Sequence, residues 1–450
     1  MINIEAMKQA ISRTDTYKMV GRIAKVTGLV VESAGPVARI GELCRIFSGT
    51  GDIYWAEVIG FNNNMVLLMP LGNTTGIKQG DRVESTGELP KAPVSPHLLG
   101  RILNGLGDPI DGKPAVIPEA YYPIHAEPIN PMNRKPIDTV FSTGIRAIDA
   151  MLTCGVGQRI GVFAGSGVGK STLLGMIARQ SSADVNVISL VGERGRELSA
   201  FIEKDLGPEG LARSVIVIST SDNPPLIRMR AALMATAIAE YFRDQGKNVL
   251  FMMDSVTRFA MAQREVGLSA GEPPSSKGYT PSVFAMLPQL LERAGSFHHG
   301  SITAIYTVLV EGDDMNEPIA DAVRSILDGH VVLSRKLAAK NHYPAIDILE
   351  SVSRLMKELS SAEQNQLAGK IRDFMATYSE AEDLINIGAY AGGSNPNIDQ
   401  AIAFHEPIEA FLKQSIGENS NHQIALEAMA EIFGIDIHNF ASNAPAPAGK

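Results

Sequence analysis

The chain has 450 residues, too many for one ordinary domain, and its 45% hydrophobic and 20% charged composition excludes a wholly disordered polypeptide. With 40 Lys+Arg against 49 Asp+Glu the formal charge is −9, which argues against a surface built chiefly to grip nucleic acid phosphates. The two cysteines, Cys44 and Cys154, lie far apart and outside any metal-ligand spacing, so a disulfide framework and a cysteine zinc site are excluded and a reducing compartment fits.

Residues 1–17 place Ile4, Met7 and Ile11 at helical spacing and predict a short amphipathic segment, either a frayed terminus or a docking helix. No stretch there has the apolar character of a signal peptide, and no later run approaches the roughly 18 apolar residues of a membrane span, so a soluble or peripherally attached protein is expected. Residues 18–90 carry short β-rich runs separated by Gly, Asn and Pro signals such as Asn62-Asn63-Asn64, the pattern of a small β-barrel or sandwich. Trp55 in one of these runs reads as a packing residue. Prolines crowd residues 91–139, which predict a stiff, irregular connection.

From residue 140 to 354 near-continuous apolar runs (RIGVFA, VNVISLV, SVIVIST, NVLFMMD, ITAIYTVLV, HVVLS) alternate with helical patterns. Such strands are covered on both faces, which predicts a doubly wound α/β domain with a parallel sheet. Residues 355–440 show only helical periodicity and predict a helical domain, and 441–450 read as a disordered tail. His298-His299 reads as a loop pair with no zinc spacing, and Met252 and Met253 as core filler.

The chemistry concentrates at strand ends. Ala164-Gly165-Ser166-Gly167-Val168-Gly169-Lys170-Ser171 stands directly after RIGVF and before a helical pattern that continues with Thr172. A strand, a Gly-rich loop and a helix in that order cradle phosphates with backbone N–H groups; Lys170 reaches the β and γ phosphates and Ser171 holds Mg²⁺. One departure is visible, since the strict pattern opens with Gly and here has Ala164. Asp254 ends the run NVLFMMD, where an acidic group at a carboxyl edge serves the metal, although an Asp at such a place is often only a helix cap. Gly192-Glu193-Arg194-Gly195-Arg196-Glu197 follows VNVISLV, so Glu193 is placed to orient a water and Glu197 to reach the metal's water shell; a solvated charged turn is the plain alternative.

Three longer segments, GERGRE, REVGLSAGEPPSSKGYTPSVFAMLPQLLERAG at 264–295 and PAIDILESVSR at 344–354, resemble the rotary ATP synthase α/β superfamily. GLVVESAGPVARIGELCRI, LLGRILNGLGDPIDGKP and ITAIYTVLVEGDDMNEPIADAVRSILDGHVVLSRKLA are most similar to its flagellar export and type III secretion branch, and the resemblance covers about residues 20–440. It implies a RecA-like P-loop domain between an N-terminal β-barrel and a C-terminal helical domain, and Mg²⁺-dependent hydrolysis of ATP. It also implies that Glu193 is the catalytic glutamate, since noncatalytic α-type subunits carry Gln there, and that Arg194 contacts the γ-phosphate. Tyr343 would stack on adenine, and Arg354 would be an arginine finger reaching a neighbour's site in a homohexamer. Phe411 and Ile416 fall where the synthase lines its adenine pocket, while an aromatic on such a helix is more often core. The implied partners are further copies of the chain, a coiled-coil regulatory subunit, export substrates with their chaperones, and a membrane export gate, with a cytoplasmic, peripheral location at the inner membrane and no nucleic acid. A virulence-type secretion ATPase and a rotary synthase catalytic subunit remain alternatives, as does a hexameric nucleic acid translocase, which the acidic charge and the scarcity of aromatics among basic residues oppose.

Overall fold

A computed structural model describes residues 19–126, 129–310, 312 and 314–435; the amphipathic segment 1–17 and the tail 441–450 lie outside the described residues. The first strands are β1 (Val20–Thr27), β2 (Val30–Ala34), β3 (Leu43–Phe47), β4 (Ile53–Asn62), β5 (Met65–Pro70) and β6 (Arg82–Ser85), joined as a closed barrel in the order β1-β2-β5-β4-β3-β6. Alternation decides what points inward: Ile23, Val31, Cys44, Ile46, Ala56, Val58, Val66, Leu68 and Val83 fill the centre. Asn63 and Asn64 both have positive φ, +46° and +64°, as the tight hairpin between β4 and β5 requires. Gly21 permits the closest approach in the barrel, since a Cβ there would stand 2.0 Å from the Gly35 carbonyl oxygen. Because Ala56 and Val58 take the inside positions, Trp55 faces outward and is 46% exposed, so it is not the packing residue its strand suggested.

The proline-rich connection contains strands that composition hid. β7 (Lys91–Val94) pairs antiparallel with β9 (Ala120–Pro123), and β8 (Arg101–Asn104) joins the edge of the large sheet. Pro93 and Pro123 sit in a two-stranded ribbon, where an absent N–H is tolerated. Arg101 anchors β8 with a bidentate pair to Asp111, Nε–Oδ2 2.6 Å and Nη2–Oδ1 2.9 Å, and donates to the Pro114 carbonyl at 2.8 Å.

The central domain follows. A short ladder of β10 (Val140–Phe141) and β11 (Cys154–Gly155) precedes β12 (Arg159–Ala164), β13 (Val185–Glu193), β14 (Ser214–Thr220) and β15 (Asn248–Asp254). β16 (Gly295–Ser296), β17 (Ser301–Leu309), β18 (Gly329–Leu333) and β19 (Ile346–Ser353) complete it, and the sheet runs β19-β18-β12-β17-β15-β13-β14-β8. From β8 to β18 the neighbours are parallel, while β19 and β16 are antiparallel additions. Successive residues feed two different cores: Val249, Phe251 and Met253 of β15 enter one, Leu250 and Met252 the other. That two-sided burial is why these strands read as unbroken apolar runs.

Helices α1 (Lys170–Gln180), α2 (Gly195–Ala200), α3 (Pro225–Asp244), α4 (Val256–Ala270), α5 (Pro281–Leu291) and α6 (Pro318–Ile326) occur between these strands. Of these, α3 to α6 contribute to the core on one face and α1 to that on the other. The C-terminal helices α7 (Ala362–Asn386), α8 (Pro396–Leu412) and α9 (His422–Glu431) join α1's core, where Phe411 is buried; Ile416, just beyond α8, is exposed. Ser361, Asn395 and Asn421 cap their N-termini. Polar contacts fix the flanking domains: Glu57 of the barrel meets Arg230 of α3 at 2.6 Å, and Arg146 bonds Gln414 and the Phe411 carbonyl at 2.8 and 2.7 Å. Cys44 and Cys154 are buried and unbridged, and burial pushes the Cys44 thiol up to about 12.

The Arg101–Asp111 side chains are only 9% and 5% exposed, so Asp111→Ala leaves a buried guanidinium without its partner and should lower stability by roughly 3–5 kcal/mol in urea unfolding. Arg101 holds the Asp111 carboxyl well below the usual carboxylate range, so the unfolded chain binds the proton first as pH falls. The gap between wild type and variant should therefore stay constant from neutral pH down to about pH 5 and narrow below about pH 4, the ordinary Asp pKa.

Candidate functional site

Parallel strands deliver their carboxyl ends to one edge, and there β12, β13, β15 and β17 open into a cleft of ≈ 820 Å³. β12 ends at Ala164, whose methyl is buried in the core; this explains how the position tolerates a side chain where the strict motif has glycine. Gly167 and Gly169 then adopt φ +81° and +89°, and α1 starts at Lys170 with no side-chain cap on its first amides. Those amides and the helix dipole make an anion seat. Gly165, Ser166, Gly167, Gly169, Lys170, Ser171 and Thr172 all line the cleft, whereas Val168 is buried beneath the loop.

Lys170 Nζ is hydrogen-bonded to Asp254 Oδ1, and Thr307 Oγ1 donates to the same oxygen at 2.7 Å. The pair is buried, with the Lys170 and Asp254 side chains 12% and 7% exposed. Beside it Glu193, half-buried at the end of β13, has its carboxyl raised to about 7, first by burial and then by the Asp254 charge, with Lys170 and Arg258 pulling the other way. Arg194 immediately precedes α2 and is exposed at the rim, 3.5 Å from Glu197 in its first turn; both line the cleft.

Two other predicted residues come from farther along the chain. Tyr343 lies against the end of the phosphate loop, its ring 3.4 Å from where a Cβ on Gly169 would stand, and is 42% exposed. Arg354 follows β19, is exposed, and donates to the Arg324 carbonyl at 3.3 Å. It is not among the residues that line its own chain's cleft.

Sequence reasoning missed two cleft cations. Arg258 stands one helical turn after Asp254, its amide capped by Ser255 Oγ at 3.3 Å, and its buried Nε has no hydrogen-bond partner among the described residues. Spacing of four from the strand-end acid was the available signal. Arg335 follows β18, and its guanidinium lies 2.6–3.0 Å from where a Cβ on Gly165 would stand. The donor set suits a triphosphate with a hard cation. Backbone amides, Lys170 and Arg258 would meet anionic oxygens, and the Ser171 hydroxyl and Asp254 carboxylate would offer the oxygen ligands that Mg²⁺ takes while keeping several waters. Among the described residues no three or more His, Cys, Asp or Glu cluster so as to hold a metal ion.

Family models match in three places: ATP synthase alpha/beta family, beta-barrel domain, at 23–87; ATP synthase alpha/beta family, nucleotide-binding domain, at 144–353; and T3SS EscN ATPase C-terminal domain at 360–431. A flagellum-specific ATP synthase of Bacillus subtilis is 54% identical over 434 residues, covering 96% of this chain and 99% of that protein. The chain belongs to the ATP synthase alpha/beta family. It is accordingly an ATPase, with ATP as substrate. The solved structure of the assembled ATPase EscN from the enteropathogenic E. coli type III secretion system is similar at TM-score 0.87 and 47% identity, over 92% of this chain and 99% of that one. EscN in complex with its central stalk EscO is similar at TM-score 0.85 and 47% identity, with the same coverage. Among the described residues no helix is long and apolar enough to cross a membrane.

Gly192 has φ +73°, and a Cβ there would stand 2.9 Å from the Arg258 Cβ. Gly192→Ala should lower stability by about 1–2 kcal/mol and push Arg258 out of the cleft, measurable as a drop in unfolding midpoint and a displaced guanidinium in a crystal structure.

Proposed function

We propose that this ATPase energises export of flagellar proteins through a type III secretion apparatus, hydrolysing ATP with Mg²⁺ at sites completed between the subunits of a homohexameric ring. The observation that carries the ring is the separation of Arg354 from the cleft that Lys170 and Glu193 of the same chain line. A finger displaced from its own site serves an adjoining one, and a single-chain ring then builds a complete site at every interface.

Each residue acts by position and charge. The loop amides, Lys170 and Arg258 hold the β and γ phosphates, Tyr343 stacks on the base, and Arg194 meets the γ-phosphate from the rim. Ser171 and Asp254 would hold Mg²⁺, with Glu197 reaching its water shell; when bound, the cation neutralises charge on the phosphate oxygens. Lys170 then exchanges its Asp254 partner for phosphate. Glu193, whose raised carboxyl is poised near neutrality, orients a water and accepts its proton as the water oxygen attacks the γ-phosphorus and the bond to the bridging oxygen breaks, giving ADP and phosphate. Arg354 of the adjoining subunit stabilises the charge that builds on the γ-phosphoryl oxygens.

The flagellar branch is taken on the 54% and 52% identity to flagellum-specific relatives over 96% and 95% of this chain, against 49% to a type 3 secretion system ATPase over 92%. A coiled-coil regulator is the expected stalk partner, since EscN assembles with its central stalk EscO. Export substrates, their chaperones and a membrane gate are the remaining expected partners, met at the cytoplasmic face of the inner membrane.

Glu193→Gln should retain nucleotide affinity and lose turnover by roughly 100-fold or more, because the amide keeps the shape but cannot take the proton. Arg354→Ala should be similarly slow. Mixing the two proteins as rings reassemble should restore activity to as much as about one quarter of wild type, since a random ring pairs an intact site with an intact finger at that fraction of interfaces. Phosphate release that stays at the level of the separate variants would rule out a finger supplied in trans. For the export role, native protein isolated from its own cells should carry rod, hook or filament subunits, identified by mass spectrometry; a stable second α/β-type chain would point to a synthase.

A further inference from the structure

Tyr343 is exposed against the phosphate loop, while the residue before it, His342, is buried in the seam between the nucleotide-binding domain and the C-terminal helices. His342 Nδ1 lies 2.9 Å from Glu409 Oε2 on α8, and its side chain is 2% exposed. Its Nε2 has no hydrogen-bond partner among the described residues. A carboxylate facing Nδ1 fixes the ring as a donor from that nitrogen and fixes its orientation. The bond in turn holds the Glu409 carboxyl below the usual carboxylate range, with Lys413, 3.5 Å away one turn further on, acting in the same direction.

The backbone around Tyr343 is tied to the same helices. Its carbonyl accepts from the Gln414 amide at 3.0 Å, and the Gln414 side chain is itself held by the Arg146 amide at 2.8 Å and the Gly144 carbonyl at 2.9 Å. Before it, the chain turns through Asn341 at φ +57°, and the His342 amide donates to the Leu337 carbonyl at 3.0 Å. A half-open cavity of ≈ 150 Å³ lies beside the pair, lined among others by Leu337, Ile348, Phe374, Met375, His405 and Leu412. Side chains that face a gap forgo the dispersion contacts that would otherwise lock them. Two polar contacts thus tie α8 and the residues just after it to the turn carrying Tyr343: Gln414 to the Tyr343 backbone, and Glu409 to the side chain of His342.

We propose that Glu409, acting through His342, is a positioning residue for the ring of Tyr343, so that the C-terminal helices set the affinity of the site for the nucleoside end of its substrate. This rests on the reading of Tyr343 as the base contact. A shift of α8, whatever drives it, then alters nucleotide affinity without touching the groups that carry out hydrolysis.

The test compares full-length wild type with Glu409→Ala, Glu409→Gln, Phe374→Leu and Tyr343→Ala in steady-state hydrolysis of ATP and in competition by inorganic tripolyphosphate, which occupies the phosphate loop but has no base. Glu409→Ala should raise KM for ATP by about three- to tenfold, the range expected of one lost buried hydrogen bond, with kcat changed less than about twofold and tripolyphosphate inhibition unchanged. Glu409→Gln keeps an acceptor for the imidazole N–H and should return KM to near wild type. Phe374→Leu thins packing in the same seam, so it should lower thermal stability and leave KM alone. The proposal is overturned if Glu409→Ala leaves KM unchanged, weakens tripolyphosphate equally, or is matched by Phe374→Leu. If Tyr343→Ala itself leaves KM for ATP unchanged, the base-contact reading has failed and the proposal falls with it, an outcome distinct from failure at Glu409 alone.

Discussion

Lys170 opens the helix that follows β12 and its loop, Asp254 ends β15, and their contact depends on β12 and β15 being held in register by β17 between them. A buried ammonium is tolerated only with a partner, and Asp254 supplies it for Lys170. Thr307 on the intervening strand adds a donor to the same Asp254 oxygen. The whole sheet therefore serves one short-range electrostatic arrangement, and the two apolar cores on its faces keep that arrangement in place.

Around this floor, positive charge is distributed by depth. Lys170 and Arg258 lie inside, Arg194 sits at the rim, and Arg354 lies outside its own cleft altogether. On the proposed reading, such grading would separate binding from catalysis in space, with deep cations and loop amides holding phosphates and charge from another surface completing the site. Glu193 adds the complementary element, a carboxyl whose burial beside a second acid keeps it near its proton.

The flanking domains are attached to the central one by polar clamps as well as apolar contact. Glu57–Arg230 joins the barrel, Arg146–Gln414 joins the helices, and His342–Glu409 joins α8 to the turn beside the phosphate loop. Directional bonds of this kind specify orientation, including beside the cavity next to His342.

Much of this was legible along the chain because the signals are local. The Gly-rich run, the strand-end acid and the apolar segments of a two-sided sheet each follow from short-range spacing, and so locate Gly165 to Thr172, Asp254 and Glu193 on the carboxyl edge. Prolines masked β7, β8 and β9, because their pairing partners and not their composition make them strands. Trp55 faces outward because the smaller Ala56 occupies the barrel's inside, a choice set by register. Arg335 reaches Gly165, Tyr343 lies beside Gly169, and His342 finds Glu409 only through folding, since each contact spans more than sixty residues. The sequence by itself determined which backbone stretches could cradle phosphate, since that depends on glycine, lysine and a helix start in immediate succession. Only the tertiary structure decided which distant cations share the cleft and which side chain lies outside it, because those depend on strand order and on the docking of separate domains.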